Sequence, residues 1–546
     1  MSSTITGSRE QRFREFLERL VAEIQPLELE HNREFWLANT TGEARHEQRS
    51  AELDAQIRLV FARRDAFEFL KELRSGGALA DPLLERQMQL VWNGHRSKQL
   101  APEMIERQVR LEKSLESRFN NFRAGLDGEK VTDNRIRDLL HGSEDAGLRR
   151  RAWEASKQVG DQVEPELLEL VRVRNDGARQ LGFDNFYTMN LELDELDEKE
   201  LFDLLEDLDR GTQPLWDAYK RDLDPRLSAR FGVPVAELRP WHYADPFFQE
   251  APAAELDLDP YYAGQSLEQL TDASFRAVGL DIADLLELAD HYERPGKCQH
   301  AFCMSVDRAG EVRVLCNIRS NERWMGTMLH EYGHAVYDKY IDRTLPWLLR
   351  GPAHTLTTEA SAMIFGRLSK NPVWLKRFAG ADAAALDALK GPVARAIREQ
   401  LLVQTRWELV MIHMEHALYR DPEQDLRTLW WDLVERYQGI TRPEGRDAAD
   451  WASKIHFSIA PVYYQNYLLG EMLASQFQDH LLATVCGGGE ERWTRFLTSA
   501  EVGRYFIERV YAPGKRMNWR ELVVQSTGRP LDSRAFVDDL AGKNDA

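Results

Sequence analysis

Ten residues, Leu329–Asp338, constrain this chain most: they read L-H-E-Y-G-H-A-V-Y-D and hold His330, Glu331 and His334. Written as helix, four residues turn through about 400° and rise about 6 Å, so the two imidazoles share one face, one turn apart. From there both rings can reach one Zn²⁺ at about 2.0–2.1 Å. Glu331 follows the first histidine and so stands beside the metal, where a carboxylate can accept a proton from an attacking water. Five-residue patterns also recur by accident on buried helices, so the rest of the chain must support the reading.

At 546 residues the chain can form one large body or several domains. Its 71 basic and 90 acidic residues leave a net charge of −19, which argues against a nucleic-acid backbone or an anionic membrane as partner. The opening residues Met1–Arg12 show no apolar core with a cleavage site, and no stretch approaches 18 uncharged apolar residues, so neither a signal peptide nor a membrane span is expected. Four cysteines (Cys298, Cys303, Cys316, Cys486), none in a C-x-x-C pair, exclude a disulfide framework and a thiolate zinc site. The expected compartment is the cytoplasm, where Cys298 and Cys316 would stay reduced.

Residues 9–225 read as a run of long antiparallel helices. Phe13, Phe16, Leu17 and Leu20 fit one face; Leu59, Val60, Phe67 and Phe69 fit another more loosely. Pro102 marks a helix start, Ser143-Glu-Asp-Ala a cap, and 164–181 a strongly periodic helix ended by Gly182. The acidic run 192–209 is a solvated helix face. Prolines and glycines thicken from Leu223 to Pro295, which predicts irregular structure and a lobe boundary. Residues 297–318 then supply two β-prone runs around Asp307-Arg-Ala-Gly310, the one expected hairpin, placed directly before the metal helix. An edge strand there suits an extended peptide held by main-chain hydrogen bonds.

A catalytic zinc wants a third protein ligand and one open position. Glu359 lies 25 residues beyond His334, after a Pro/Gly turn and at the expected start of a helix at Thr357. An acid in a first helical turn also suits the dipole, which is its structural alternative. His354, in the loop before, ranks below it. Asp338, one turn past His334, is the candidate carboxylate to orient a ligand histidine, since Met363 stands where an acid four residues after Glu359 would serve. His413 and His416 are too few for a separate metal site.

H-E-Y-G-H followed by Thr357-Thr-Glu359-Ala resembles the zinc peptidases of the thimet oligopeptidase and oligoendopeptidase F family. Leu345-Pro-Trp-Leu-Leu-Arg-Gly-Pro-Ala-His-Thr355 and Cys298-Gln-His-Ala-Phe-Cys303 resemble the angiotensin-converting-enzyme family of dipeptidyl carboxypeptidases. The likeness is concentrated in 295–370 and 395–480 and is diffuse in the N-terminal helices. It implies a mainly α fold, two helical lobes around a deep cleft with one small hairpin beside the metal helix. Within a single peptidase unit, 1–225 would be the N-terminal lobe, 226–296 the irregular connection and 297–546 the zinc-binding lobe. It implies one Zn²⁺ on His330, His334 and Glu359, with Glu331 as general base. His456, Tyr464 and Tyr467 match the groups that steady the tetrahedral intermediate, with Tyr463 able to replace either tyrosine; phenol and imidazole donors suit an oxyanion. His300 and Ala301 would touch the peptide backbone. Lys454 matches the lysine that grips a C-terminal carboxylate in the converting-enzyme family.

The expected function is zinc-dependent hydrolysis of short oligopeptides, oligoendopeptidase-like. The alternatives are a dipeptidyl carboxypeptidase and, in another class, a peptide-binding protein that has kept the fold without catalysis.

Overall fold

Ser8 accepts a hydrogen bond from Gln11 N and opens α1 (Arg9–Thr41), which ends at Gly42 with φ 69°. A computed structural model describes residues 8–252, 256–487, 489 and 491–544; the reading of Met1–Gly7 lies outside them. The fold is mainly α, with two two-stranded sheets among the described residues. No described helix is long and apolar enough to cross a membrane.

Helices α1, α2 (Ala44–Phe61), α3 (Arg64–Ser75) and α4 (Pro82–Arg96) close over a core of their own. Phe13, Leu17, Leu20 and Ile24 of α1 meet Leu70, Leu73, Leu84, Met88 and Val91, and one residue from elsewhere, Trp347, joins them. The loose second face dissolves on inspection: Leu59 is exposed, and Phe67 and Phe69 lie on α3 rather than on the helix of Val60. Everything from α5 (Pro102–Asn121) onward shares a second, larger core that includes the buried side of the metal helix.

Two expectations change. A first hairpin, β1 (Ala124–Leu126) and β2 (Glu129–Val131), precedes the expected one, turning through Asp127 (φ 51°) and Gly128 (φ 89°). Asp-Gly is a two-residue turn that favours positive φ at both positions, so the signal was present in the sequence. The region after Leu223 is also less irregular than its prolines suggest. Helix Glu198–Phe231 runs through Pro214 and Pro225 to Gly232. The carbonyls these prolines leave unbonded belong to the exposed Arg210 and Arg221, where water can satisfy them. Helices Leu267–Ala277 and Ala283–Leu288 follow.

The expected hairpin is present as β3 (Phe302–Ser305) and β4 (Val312–Leu315), antiparallel, with Phe302 opposite Leu315 and Ser305 opposite Val312. Arg308 (φ 54°) and Gly310 (φ 119°) carry the turn. From the other side α1 covers it: the Phe302 ring meets Phe35 and Trp36 edge-on, and Asn32 Nδ2 donates to Val306 O at 2.9 Å.

Candidate metal centre

The helix Glu322–Tyr340 starts where the Asn321 side chain accepts from Trp324 N. Met325, Met328, Leu329, Tyr332, Ala335 and Val336 fill the core, a spacing that leaves His330 and His334 on the opposite face. The next helix, Thr355–Gly366, begins two residues earlier than its threonines suggest, because His354 is its N-cap. Its Nδ1 accepts from Leu356 N at 3.0 Å and its Nε2 reaches Asp194 O at 2.7 Å. Both nitrogens are committed, so His354 is no ligand. Glu359 is the fifth residue of this helix, past the first turn, so a helix-dipole role does not account for it.

Glycine sets how closely these helices approach. A Cβ on Gly333 would lie 2.7 Å from Ala362 Cα, and one on Gly470 would lie 2.9 Å from Glu359 Cβ. Gly470 belongs to helix Tyr464–Thr484, so three helices meet behind the cluster.

His330 Nε2 and His334 Nε2 each lie 3.9 Å from Glu359 Oε2. The three ligand atoms fall within 4.8 Å of one another, the one such group of His, Cys, Asp and Glu among the described residues. Tetrahedral bonds of about 2.05 Å place ligand atoms about 3.4 Å apart, so small side-chain movements suffice. Electrostatics agrees. Burial holds His330 down to about 4 and, with His330 beside it, His334 to about 3, so both are the neutral form a metal needs. Burial and then Glu359 push Glu331 up to about 8, and burial pushes Glu359 to about 7. Two buried carboxylates facing each other without a cation are costly, and a divalent ion relieves both. The donor set fits zinc.

A cavity of about 940 Å³ opens in front of the cluster, lined by His330, Glu331, His334, Glu359, Asp338, Tyr463 and Tyr467 among others. From the strand, Ala301, Phe302, Cys303 and Ser305 contribute, while α1 and α2 supply Glu28, His31, Asn32, Asp54 and Ile57. His300 is exposed and does not line it. Asp338 lines the wall with its carboxyl pushed up to about 7 by burial, but no hydrogen bond joins it to His330 or His334 to orient the ring. That part falls to Thr358, whose Oγ1 lies 2.7 Å from His334 Nδ1 and leaves Nε2 free for the metal.

The tyrosines fall in a different register from the expected one. Tyr463 and Tyr467 front the cavity, and Tyr463 Oη is 3.4 Å from Glu359 Oε1. Tyr464 turns the other way, its ring 5.1 Å from His456, and neither lines the cavity. Lys454 is also outside: Nζ donates to Gln249 Oε1 at 2.9 Å over the Phe247 and Trp407 rings, and burial brings it down to about 8. Val462, just before Tyr463, is held at φ 55°, a strained setting for a β-branched residue. Its N–H donates to Glu415 Oε1 at 2.9 Å and its carbonyl accepts from Gln465 Nε2 at 2.6 Å. The His413-Met-Glu-His416 segment thus supplies a clamp for the tyrosine turn, not a metal site. All four cysteines are free.

Residues 7–235 match the family described as Angiotensin-converting enzyme, and residues 401–544 match the Carboxypeptidase Taq (M32) metallopeptidase family. "Carboxypeptidase 1" of Bacillus subtilis (strain 168) is 25% identical over 271 residues, 45% of this chain and 52% of that protein. The chain thus spans about half the length of the curated relative it matches. The converting-enzyme match falls on the N-terminal helices, where the likeness had read as diffuse. These matches support a zinc metallopeptidase and do not support the thimet oligopeptidase and oligoendopeptidase F resemblance. Neither family match reaches His330–Glu359, so the roles there stand on motif and geometry.

Proposed function

We propose that this chain is a zinc peptidase that hydrolyses short peptides near their C-terminal ends. One observation carries the reading: two neutral imidazoles and the Glu359 carboxylate converge on one point, with Glu331 on the same cavity wall. His330, His334 and Glu359 hold the ion. When bound, zinc supplies a Lewis acid that polarises the scissile carbonyl and makes water acidic enough to react near neutral pH. Glu331 accepts the proton of the attacking water and delivers it to the leaving amine. Tyr463 and Tyr467 donate to the developing oxyanion, with His456 and Tyr464 packed behind them. The free edge of β3 pairs with the extended substrate, and Ala301 flanks it. Helices α1 and α2 across the cavity favour short, unfolded chains over folded proteins.

C-terminal action takes precedence over the oligoendopeptidase reading because both the Bacillus relative and the family matched at 401–544 are named carboxypeptidases. The test is digestion of a mixed oligopeptide pool by zinc-loaded wild type and Glu331→Gln, read by mass spectrometry. Cleavage by wild type alone supports the peptidase, and its loss on C-terminal amidation supports exopeptidase action. Zinc binding without cleavage of any peptide would favour the peptide-binding alternative.

A further inference from the structure

Lys515 lines the zinc cavity and also a side chamber of about 400 Å³ that shares Pro352, Thr355 and Thr358 with it. It rides on the short turn Gly514–Arg516, and its backbone carbonyl accepts from Arg86 Nε at 2.8 Å. The stem lies across Gly351, where a Cβ would come within 3.2 Å of Lys515 Cε. A side chain at 351 would push the lysine aside, so the glycine clears its path. No carboxylate or other acceptor among the described residues bonds Lys515 Nζ, and Arg350, also on the cavity wall, forms no ion pair: its Nε donates to Leu345 O, and Asp342 feels its charge without bonding it.

The acids nearby are otherwise engaged. Glu28 pairs with Arg308 at 2.7 Å, Asp54 with Arg58 at 2.8 Å, and Glu195 with Arg86. Asp194 Oδ2 is 3.2 Å from His354 Nε2. Asp338 feels Lys515 and Arg308, yet its burial keeps it close to neutral. Lys515 is half-buried, and a partly desolvated cation without a partner is costly and is retained where a ligand supplies the counter-charge. Burial brings Lys515 down to about 8, so it still carries charge at pH 7.

We propose that Lys515, backed by Arg350, is a carboxylate-binding subsite of this cavity, taking an Asp or Glu side chain of the bound peptide or its free C-terminus. The proposal rests on the peptidase reading and names which substrates that site prefers. A charge-assisted hydrogen bond from such a cation favours the charged ligand over its neutral amide by roughly ten- to a hundredfold.

The test uses acetylated heptaalanine peptides carrying one Glu or one Gln at each position in turn, each made as C-terminal acid and as amide. Zinc-loaded wild type should show a kcat/KM at least tenfold higher for a Glu over its Gln counterpart, or for the acid over the amide, mostly through KM. The first result names a side chain as the source, the second the terminus. Lys515→Met should bring the ratio close to one, Lys515→Arg should keep part of it, and Gly351→Ala should lower it by displacing the lysine. Indifference of wild type to every carboxylate, or an unchanged ratio in Lys515→Met, would overturn the proposal while leaving the peptidase standing. If wild type cuts nothing, the peptidase reading fails. Calorimetric binding of the same peptides to zinc-loaded Glu331→Gln, with and without Lys515→Met, then decides the subsite. Absence of any peptide binding would overturn both.

Discussion

Replacing Gly470 by alanine should loosen the metal site without unfolding the protein. The added Cβ would sit 2.9 Å from Glu359 Cβ, 3.2 Å from Met363 Sδ and 3.6 Å from Ala360 N. Carbon atoms pack at about 3.5–4.0 Å, so the helix bearing Glu359 must retreat by about 0.6–1 Å. Metal–ligand distances tolerate about 0.2 Å, so the retreat takes Glu359 out of range or strains the two histidines to follow it. Overpacking of this size costs about 1–3 kcal/mol, and if the cost falls on the metal-bound state the zinc Kd rises about 5- to 150-fold. Competition with a chromophoric chelator reads the Kd, and melting of the metal-free proteins reports any loss of fold stability separately. Gly391→Ala is the control: the residue is exposed in a helix away from the metal site, and zinc affinity should stay untouched whatever the change in fold stability beside Pro392. A folded Gly470→Ala protein that binds zinc within twofold of wild type would refute the claim that this helix contact sets the ligand position.

Three further outcomes are expected. Glu331→Gln should lower peptide hydrolysis by about 10²–10⁴-fold with zinc content unchanged, checked by turnover and metal analysis. Thr358→Val removes the partner of His334 Nδ1 and should weaken zinc binding or activity about 10- to 100-fold, measured by chelator competition and turnover. Burial pushes Glu415 up to about 8 from an ordinary value of 4.5, so between these limits the folded state holds a proton that the unfolded chain has released. That contribution weakens the fold as pH rises through the window and levels off above it, by a few kcal/mol at most. Glu415→Gln keeps an acceptor for Val462 N–H and removes the titration, so denaturant melts should show the variant gaining on wild type from pH 5 to 8.

What could be read from the residues was whatever depends on local period. The i, i+4 spacing of His330 and His334, the hairpin around Asp307–Gly310 and the face of Phe13, Leu17 and Leu20 all follow from helix or strand geometry. Glu359 was legible from the ligand count that zinc demands. Contacts between distant segments were not: Thr358 sits beside Glu359 in sequence, yet only the packing of two helices shows that it faces His334. Tyr464 against Tyr463 turns on where a helix begins to the nearest residue, a boundary that Val462 sets through strain. Lys515 lies 156 residues past Glu359 in a turn with no motif, and its meaning comes from what it lacks, a partner. Pro225 misled because its cost depends on exposure of the residue four places earlier.

The core of α1–α4 takes in one buried side chain from the rest of the protein, Trp347, while Phe35 and Trp36 meet the Phe302 ring and Leu90 packs against the larger core. Polar ties accompany these, among them Asn32 to Val306 O, Arg294 to Thr40 O at 2.7 Å, Asn93 to Leu193 O at 3.1 Å and Cys298 N to Asn39 O at 2.8 Å. Such a body can detach with most of both cores left intact, at a free energy below that of global unfolding. Its amide protons should therefore exchange with solvent as one group, faster than those of the metal helix. Because α1 and α2 wall the cavity, the detachment free energy also sets how often a peptide can enter or a product escape. Where that detachment is slower than chemistry it limits turnover, and osmolytes that favour the compact form would then slow hydrolysis while stabilising the fold.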